Sequence, residues 1–145
     1  MIENISQEPA KKVETHDLQG NPNGFLLELF KNEEKTDVYL SATTQGGFKG
    51  YHLHRVRAAR YVCLKGKVKI IMYERAGSQW ARTEKIMDSE SPSRLSIPKN
   101  VATGIQNIGR GEVWLVNYPD PAYDPALADE QVEYTQAELE AGVVK

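Results

Sequence analysis

Two histidines one residue apart, His52 and His54, head the short list of side chains able to do chemistry in this chain. In extended backbone, residues two apart share a face, so the two imidazoles project together while Tyr51 and Leu53 point the other way. Such a pair suits metal ligation, because neutral imidazole binds zinc, iron or copper. It equally suits a general base beside a substrate contact. The plainer reading is a polar sheet face with no further role. Cys63 is the single cysteine; it makes neither an internal disulfide nor a thiolate zinc site alone, and points to a reducing cytoplasm. Between Val62 and Leu64 it reads as a small interior residue. His16, beside Asp17, has no evident role.

The elements that must position the pair are strands. Apolar and polar residues alternate over Asp37 to Thr43, Phe48 to Val56 and Lys67 to Tyr73, and shorter runs cover Phe25 to Phe30, Tyr61 to Leu64, Trp80 to Met87 and Arg94 to Ile97. In Lys67 to Tyr73 the period of two sends Val68, Ile70 and Met72 one way and Lys67, Lys69 and Ile71 the other. Ile105 to Ile108 and Glu112 to Tyr118 flank Gly109-Arg110-Gly111, which reads as a hairpin. About eight short strands separated by turns predict an all-β sandwich or barrel. Thr135 with Glu138 fits a capping box, so a short terminal helix is expected over residues 134–142. Residues 1–15 read as a polar leader, and residues 1–145 as one domain.

Composition narrows the function classes. A chain of 145 residues with 40% hydrophobic and 26% charged residues is an ordinary globular domain. Its 18 Lys plus Arg against 20 Asp plus Glu leave a formal charge of −2, without the basic footprint of a nucleic-acid binder. No apolar run approaches the roughly 20 residues of a membrane span. The polar start lacks a signal-peptide core. Neither a nucleic-acid nor a membrane partner is expected.

His52 and His54 followed by Gly66 resemble the first motif of the cupin superfamily, and Ile97 to Asn107 resembles the second. The resemblance spans roughly Phe25 to Glu130 and implies a double-stranded β-helix, or jelly roll. A metal-binding cupin carries a glutamate where Ala59 stands and a third histidine where Thr103 stands. With two ligands of four absent, a metal held by His52 and His54 is the less favoured reading. Arg60, one residue on from Ala59, suits an anion or a developing oxyanion.

Within the superfamily the chain most resembles nucleotide-sugar epimerases of the dTDP-4-dehydrorhamnose 3,5-epimerase type. Lys49-Gly50-Tyr51-His52 echoes their Arg-Gly-x-His segment, Pro98 to Gly104 their Pro-x-x-x-Ala-His-Gly stretch, Tyr123-Asp124-Pro125 their Tyr-x-Pro, and Gly24 to Phe30 their opening strand. The resemblance implies proton removal next to a ketone, with His52 as base and Tyr123 as acid. Lys49, His54, Arg60, Tyr118 and Asn107 would contact a nucleotide-activated 4-keto-6-deoxy sugar. It implies no cofactor, and a homodimer. Asp120 and Asp129 lie in the region expected for the carboxylate that orients the base. Sugar-nucleotide 3,4-ketoisomerases are also similar, through Gly50 to His54 and Val62 to Gly66. A non-catalytic or metal-binding small-molecule cupin is the remaining alternative.

Apart from that resemblance, Tyr123 reads as a strand cap, Lys65, Lys67 and Lys69 as a solvated stripe, and Trp80 and Trp114 as core or interface aromatics.

Overall fold

Alternation of inward and outward side chains carries through most of the chain, and turns at glycine-bearing loops break it into short strands. A computed structural model describes residues 12–32 and 36–145. Among these the strands are β1 (Lys12–His16), β2 (Pro22–Asn32), β3 (Thr36–Thr43), β4 (Phe48–His54), β5 (Ala59–Lys65) and β6 (Lys67–Ala76). They continue as β7 (Gln79–Asp88), β8 (Arg94–Ile97), β9 (Val101–Asn107), β10 (Val113–Asn117) and β11 (Gln131–Glu133), before helix α1 (Gln136–Glu140). All pairings are antiparallel, in a six-stranded sheet ordered β1-β2-β3-β10-β5-β8 and a five-stranded sheet ordered β11-β4-β9-β6-β7.

From β3 to β6 and from β7 to β10, consecutive strands pass between the sheets in turn, which is the jelly-roll arrangement. The all-β fold with a short C-terminal helix is therefore present as expected. The hairpin expected around Gly109-Arg110-Gly111 is not: β9 pairs with β4 and β6, while β10 pairs with β3 and β5. That turn crosses between sheets. Asn107 holds it there, its side-chain amide donating to Thr43 O, Thr44 O and Gly111 O at 2.8–3.0 Å. Of the expected polar leader, residues 1–11 lie outside the described residues and residues 12–16 form β1.

Two cores result, because the five-stranded sheet is covered on both faces. Ala59, Tyr61, Cys63, Val68, Ile70 and Leu115 belong to the cluster between the sheets. Tyr51, Leu53, Ile71, Tyr73 and Ala102 pack instead against Tyr134 and Leu139 of the C-terminal segment. β6 thus loads both faces, which is why Ile71 sits apolar on the side that otherwise carries lysines. Thr135 caps α1, its hydroxyl accepting from the Glu138 amide at 3.1 Å. Trp80 joins the second core edge-to-face with Tyr134, while Trp114 lies under the Lys65 ammonium, 5.0 Å from its ring centroid.

Leu53 and Tyr51 occupy the outer core, so His52 and His54 face inward, toward the six-stranded sheet. The inward face of β3 is identified by a contact: Lys49 of β4 donates to Ser41 Oγ at 2.9 Å. Residues two apart from Ser41, namely Tyr39 and Asp37, share that face.

Candidate functional site

β4 and β11 build the site together. Gln131 pairs with His54 and Glu133 with His52, so the segment that returns after a long excursion delivers Glu130 beside the histidines. Glu130 Oε2 lies 3.1 Å from His54 Nδ1 and 3.1 Å from Arg57 NH2. Its other oxygen accepts from the Arg57 backbone amide at 3.1 Å and from Arg57 Nε at 3.2 Å. The carboxylate is 7% exposed and the Arg57 side chain 11%, so this is an ion pair largely removed from water. Burial alone would raise the Glu130 carboxyl; hydrogen bonds from Arg57 and His54 outweigh it and hold it at about 2.

Each histidine meets its neighbours through Nδ1. His54 Nδ1 lies 3.1 Å from Glu130 Oε2, which only accepts, and 3.1 Å from Arg57 NH2, which only donates, so the carboxylate favours a proton on Nδ1 and the guanidinium a bare Nδ1. The Gln131 amide nitrogen lies 3.2 Å and the Glu133 carboxylate 3.7 Å from His52 Nδ1, the first favouring a bare Nδ1 and the second a proton on it. Each imidazole, when neutral, carries one basic nitrogen and one N–H donor. Burial lowers both from their ordinary value. At His52 the charge of Glu133 opposes that shift and those of His54 and Lys49 add to it; at His54 Glu130 opposes it and Arg57 adds to it. Both therefore stay neutral around pH 7.

Thr103 pairs directly with His52 across the β4–β9 ladder, so the position of the absent third histidine is immediately beside the pair. Among the described residues no three His, Cys, Asp or Glu side chains are grouped as metal ligands. His52, but not His54, lines a cleft of about 700 Å³ with Lys49, Asn23, Thr15, His16 and Glu133 on its walls.

The other expected site residues divide. Tyr123 comes close to the cluster, its ring 5.1 Å from the Arg57 guanidinium, and is 51% exposed. Lys49 is inside but committed: its ammonium donates to Ser41 Oγ at 2.9 Å, Ala42 O at 2.7 Å and Phe25 O at 3.4 Å, using all three donors. Burial takes it down to about 8, Glu112 opposing. It ties β4 to β2 and β3 and has no hydrogen left for a phosphate. Asn107 is committed likewise to the inter-sheet turn. Arg60 lies on the outward face of β5, because its neighbours Ala59 and Tyr61 fill the inner core. There it stacks on Tyr118 at 4.3 Å and pairs with Asp120 at 3.7 Å, so Arg60, Tyr118 and Asp120 form a cluster outside the sandwich. Asp129 offers its backbone carbonyl to Arg55. The cation beside the histidines is Arg57 and the carboxylate is Glu130.

On the inward face of β3, Tyr39 donates its hydroxyl to Asp37 Oδ2 at 2.7 Å, and Glu28 pairs with Tyr39 in the β2–β3 register. Burial raises the Tyr39 phenol well above its ordinary value, Asp37 and Glu28 reinforcing the shift and Arg57 opposing it. The alternation in β3 marks Val38, Leu40 and Ala42 as its informative residues; the polar half of the same strand is the half that faces the five-stranded sheet.

Residues 19–131 match the family model of the polysaccharide biosynthesis C-terminal domain. A probable low-salt glycan biosynthesis epimerase from Haloferax volcanii is 28% identical over 131 residues, covering 82% of this chain and 84% of that protein. The capsular polysaccharide assembling protein CapF from Staphylococcus aureus shares the fold at a TM-score of 0.70 and 17% identity over 87% of this chain. The match takes in 32% of that protein, so the chain spans about a third of its length. A cupin-2 domain from Rhodospirillum rubrum superposes with a TM-score of 0.63 and 15% identity, covering 95% of this chain and 84% of the other. The fold is that of the cupins.

Proposed function

Because the chain belongs to the polysaccharide biosynthesis C-terminal domain family, we propose that it is a carbohydrate epimerase acting by proton transfer next to a ketone. The substrate class is a nucleotide-activated 4-keto-6-deoxy sugar, as in the dTDP-4-dehydrorhamnose 3,5-epimerases the sequence resembles. The observation that carries the reading is the buried Glu130 carboxylate on His54 Nδ1. A base must be neutral, oriented and near neutral pKa to take a proton from carbon. Glu130 supplies the orientation, and stabilises the imidazolium that forms when Nε2 accepts the proton.

In this reading the two histidines take different roles. His54 is the base in this reading, and His52, with its proton on Nε2, donates to the oxygen that becomes an enolate. Removing the proton leaves its electron pair in a carbon–carbon double bond while the carbonyl electrons move onto that oxygen. Return of a proton to the opposite face completes the inversion. The relative named as a glycan biosynthesis epimerase supports the reaction type.

Solvent deuterium exchange into a nucleotide 4-keto sugar tests it. Wild-type protein incorporates label beside the ketone, and His54→Ala loses about 10²–10⁴-fold of that rate. An unlabelled product with wild-type protein, or equal exchange in His54→Ala, sinks the proposal. Isomerised rather than inverted sugar would move the assignment to a 3,4-ketoisomerase, a reaction the same histidine pair serves.

A further inference from the structure

We propose that Tyr39, from the opposite wall of the sandwich, is the proton donor that completes the inversion; this rests on the epimerase reading above. The geometry begins at Lys49, whose ammonium reaches Ser41 Oγ at 2.9 Å and so aligns β4 over β3. The two strands are joined through residues 44–47 and run in opposite senses in the two sheets. Stepping back along the inward face of β3 from Ser41 therefore matches stepping forward along β4 from Lys49. The register shift between Lys49 and His52 absorbs one extra residue, so the next inward position on β4 is His52, and then His54. Tyr39 lies opposite His52, and Asp37 opposite His54. Packed sheets stand about 10 Å apart. Side chains from both walls fill that spacing, and the Arg57 charge acts on both Tyr39 and His54, so a sugar ring held at that point would meet an imidazole on one face and a phenol on the other.

The neighbours of Tyr39 suit the role. Its hydroxyl donates to Asp37 at 2.7 Å, and Glu28 stands beside it on β2, two carboxylates that keep the proton on the phenol until a carbanion demands it. The step balances. His54 Nε2 gains the proton from the sugar carbon; the Tyr39 O–H bond breaks and a new carbon–hydrogen bond forms on the other face. His54 then returns its proton to solvent and the phenolate takes one up. Tyr123 is placed differently, half-exposed and stacked on Arg57.

Tyr39→Phe separates the two half-reactions. The variant keeps the ring, and its retained deuterium exchange at the carbon beside the ketone, within about 3-fold of wild type, reports an intact fold and base. Inversion, read as the epimerised product by NMR, falls about 10²–10⁴-fold. Inversion at the wild-type rate in Tyr39→Phe overturns the proposal, as does its loss in Tyr123→Phe with Tyr39→Phe unaffected. Parallel loss of exchange and inversion also overturns it, since that pattern marks a residue needed for binding or folding. Absence of any exchange in the wild-type protein instead overturns the epimerase reading itself, so the two failures are distinguishable.

Discussion

The Glu130 carboxylate meets His54 Nδ1 at 3.1 Å across 76 residues of chain, and the same oxygen meets Arg57 NH2 at 3.1 Å. This one contact couples β4, the loop after it and the start of β11. With Arg57 NH2 also 3.1 Å from Nδ1, it fixes the orientation of the His54 ring, so a fold contact and the geometry of the candidate base are the same interaction.

Glu130→Gln separates charge from shape. The amide keeps the volume but leaves the Arg57 guanidinium, 11% exposed, without its counter-ion. Breaking one side of a buried pair costs about 3–5 kcal/mol, and the partial exposure of this pair favours the lower end. The expected result is a fall in Tm of roughly 6–12 °C for a chain of this size. Deuterium exchange falls with it, because the amide nitrogen competes to place a donor against Nδ1 and the basic nitrogen is lost. Unchanged stability and exchange would show that the carboxylate neither anchors Arg57 nor orients His54.

Acid acts on the same cluster in two stages. Burial first, and at His54 the charge of Arg57 as well, keeps the folded histidines below their ordinary value of 6.5. The unfolded chain then binds more protons as pH falls through that value, and stability declines from about pH 6.5 downward. Glu130 is also depressed, from 4.5 to about 2, so its contribution is full above 4.5 and lost as pH falls from there toward 2. Urea denaturation in half-unit pH steps should show both declines, with the lower one absent in Glu130→Gln. The kcat/KM profile should lose activity on an acid limb whose apparent pKa lies below 6.5. A limb above 7 would contradict a base of lowered pKa.

Much of the fold was legible because period-two alternation is a direct image of the sheet: Asp37 to Thr43, Lys67 to Tyr73 and Trp80 to Met87 all lie in strands of the structure. The terminal cap at Thr135 was local and therefore readable. What failed was pairing. Gly109-Arg110-Gly111 has the composition of a hairpin, yet the partners of a strand depend on which sheet it enters, and the side chain that redirects this turn, Asn107, lies outside the turn itself. The site followed the same rule. His52 and His54 were visible as a pair, whereas Arg57 and Arg60 cannot be told apart by type; only the face of β5 and the turn before it decide which cation meets the histidines. Glu130 reaches them through long-range packing, which no local spacing encodes.

Gly50 is where close approach of backbones sets the site. Its φ of +128° is a conformation that L side chains rarely adopt. A Cβ there would stand 2.7 Å from Thr103 O and 2.9 Å from Gly104 Cα, backbone atoms that cannot swing aside. Gly50 also lies within the β4–β9 register shift between Lys49 and His52, which turns both Lys49 and His52 inward. Gly50→Ala must therefore part β4 from β9 as well as strain its own dihedrals, at about 2–4 kcal/mol. Gly77 supplies the control: its φ is +65° but nothing lies within 4 Å of a Cβ added there, so Gly77→Ala carries dihedral strain alone, about 1 kcal/mol. Thermal unfolding should place Gly50→Ala roughly 4–16 °C below wild type, Gly77→Ala only a few degrees below. Deuterium exchange should fall in the first and persist in the second. Equal losses in the two variants would mean that dihedral strain, and not the approach of β4 to β9, is what Gly50 relieves.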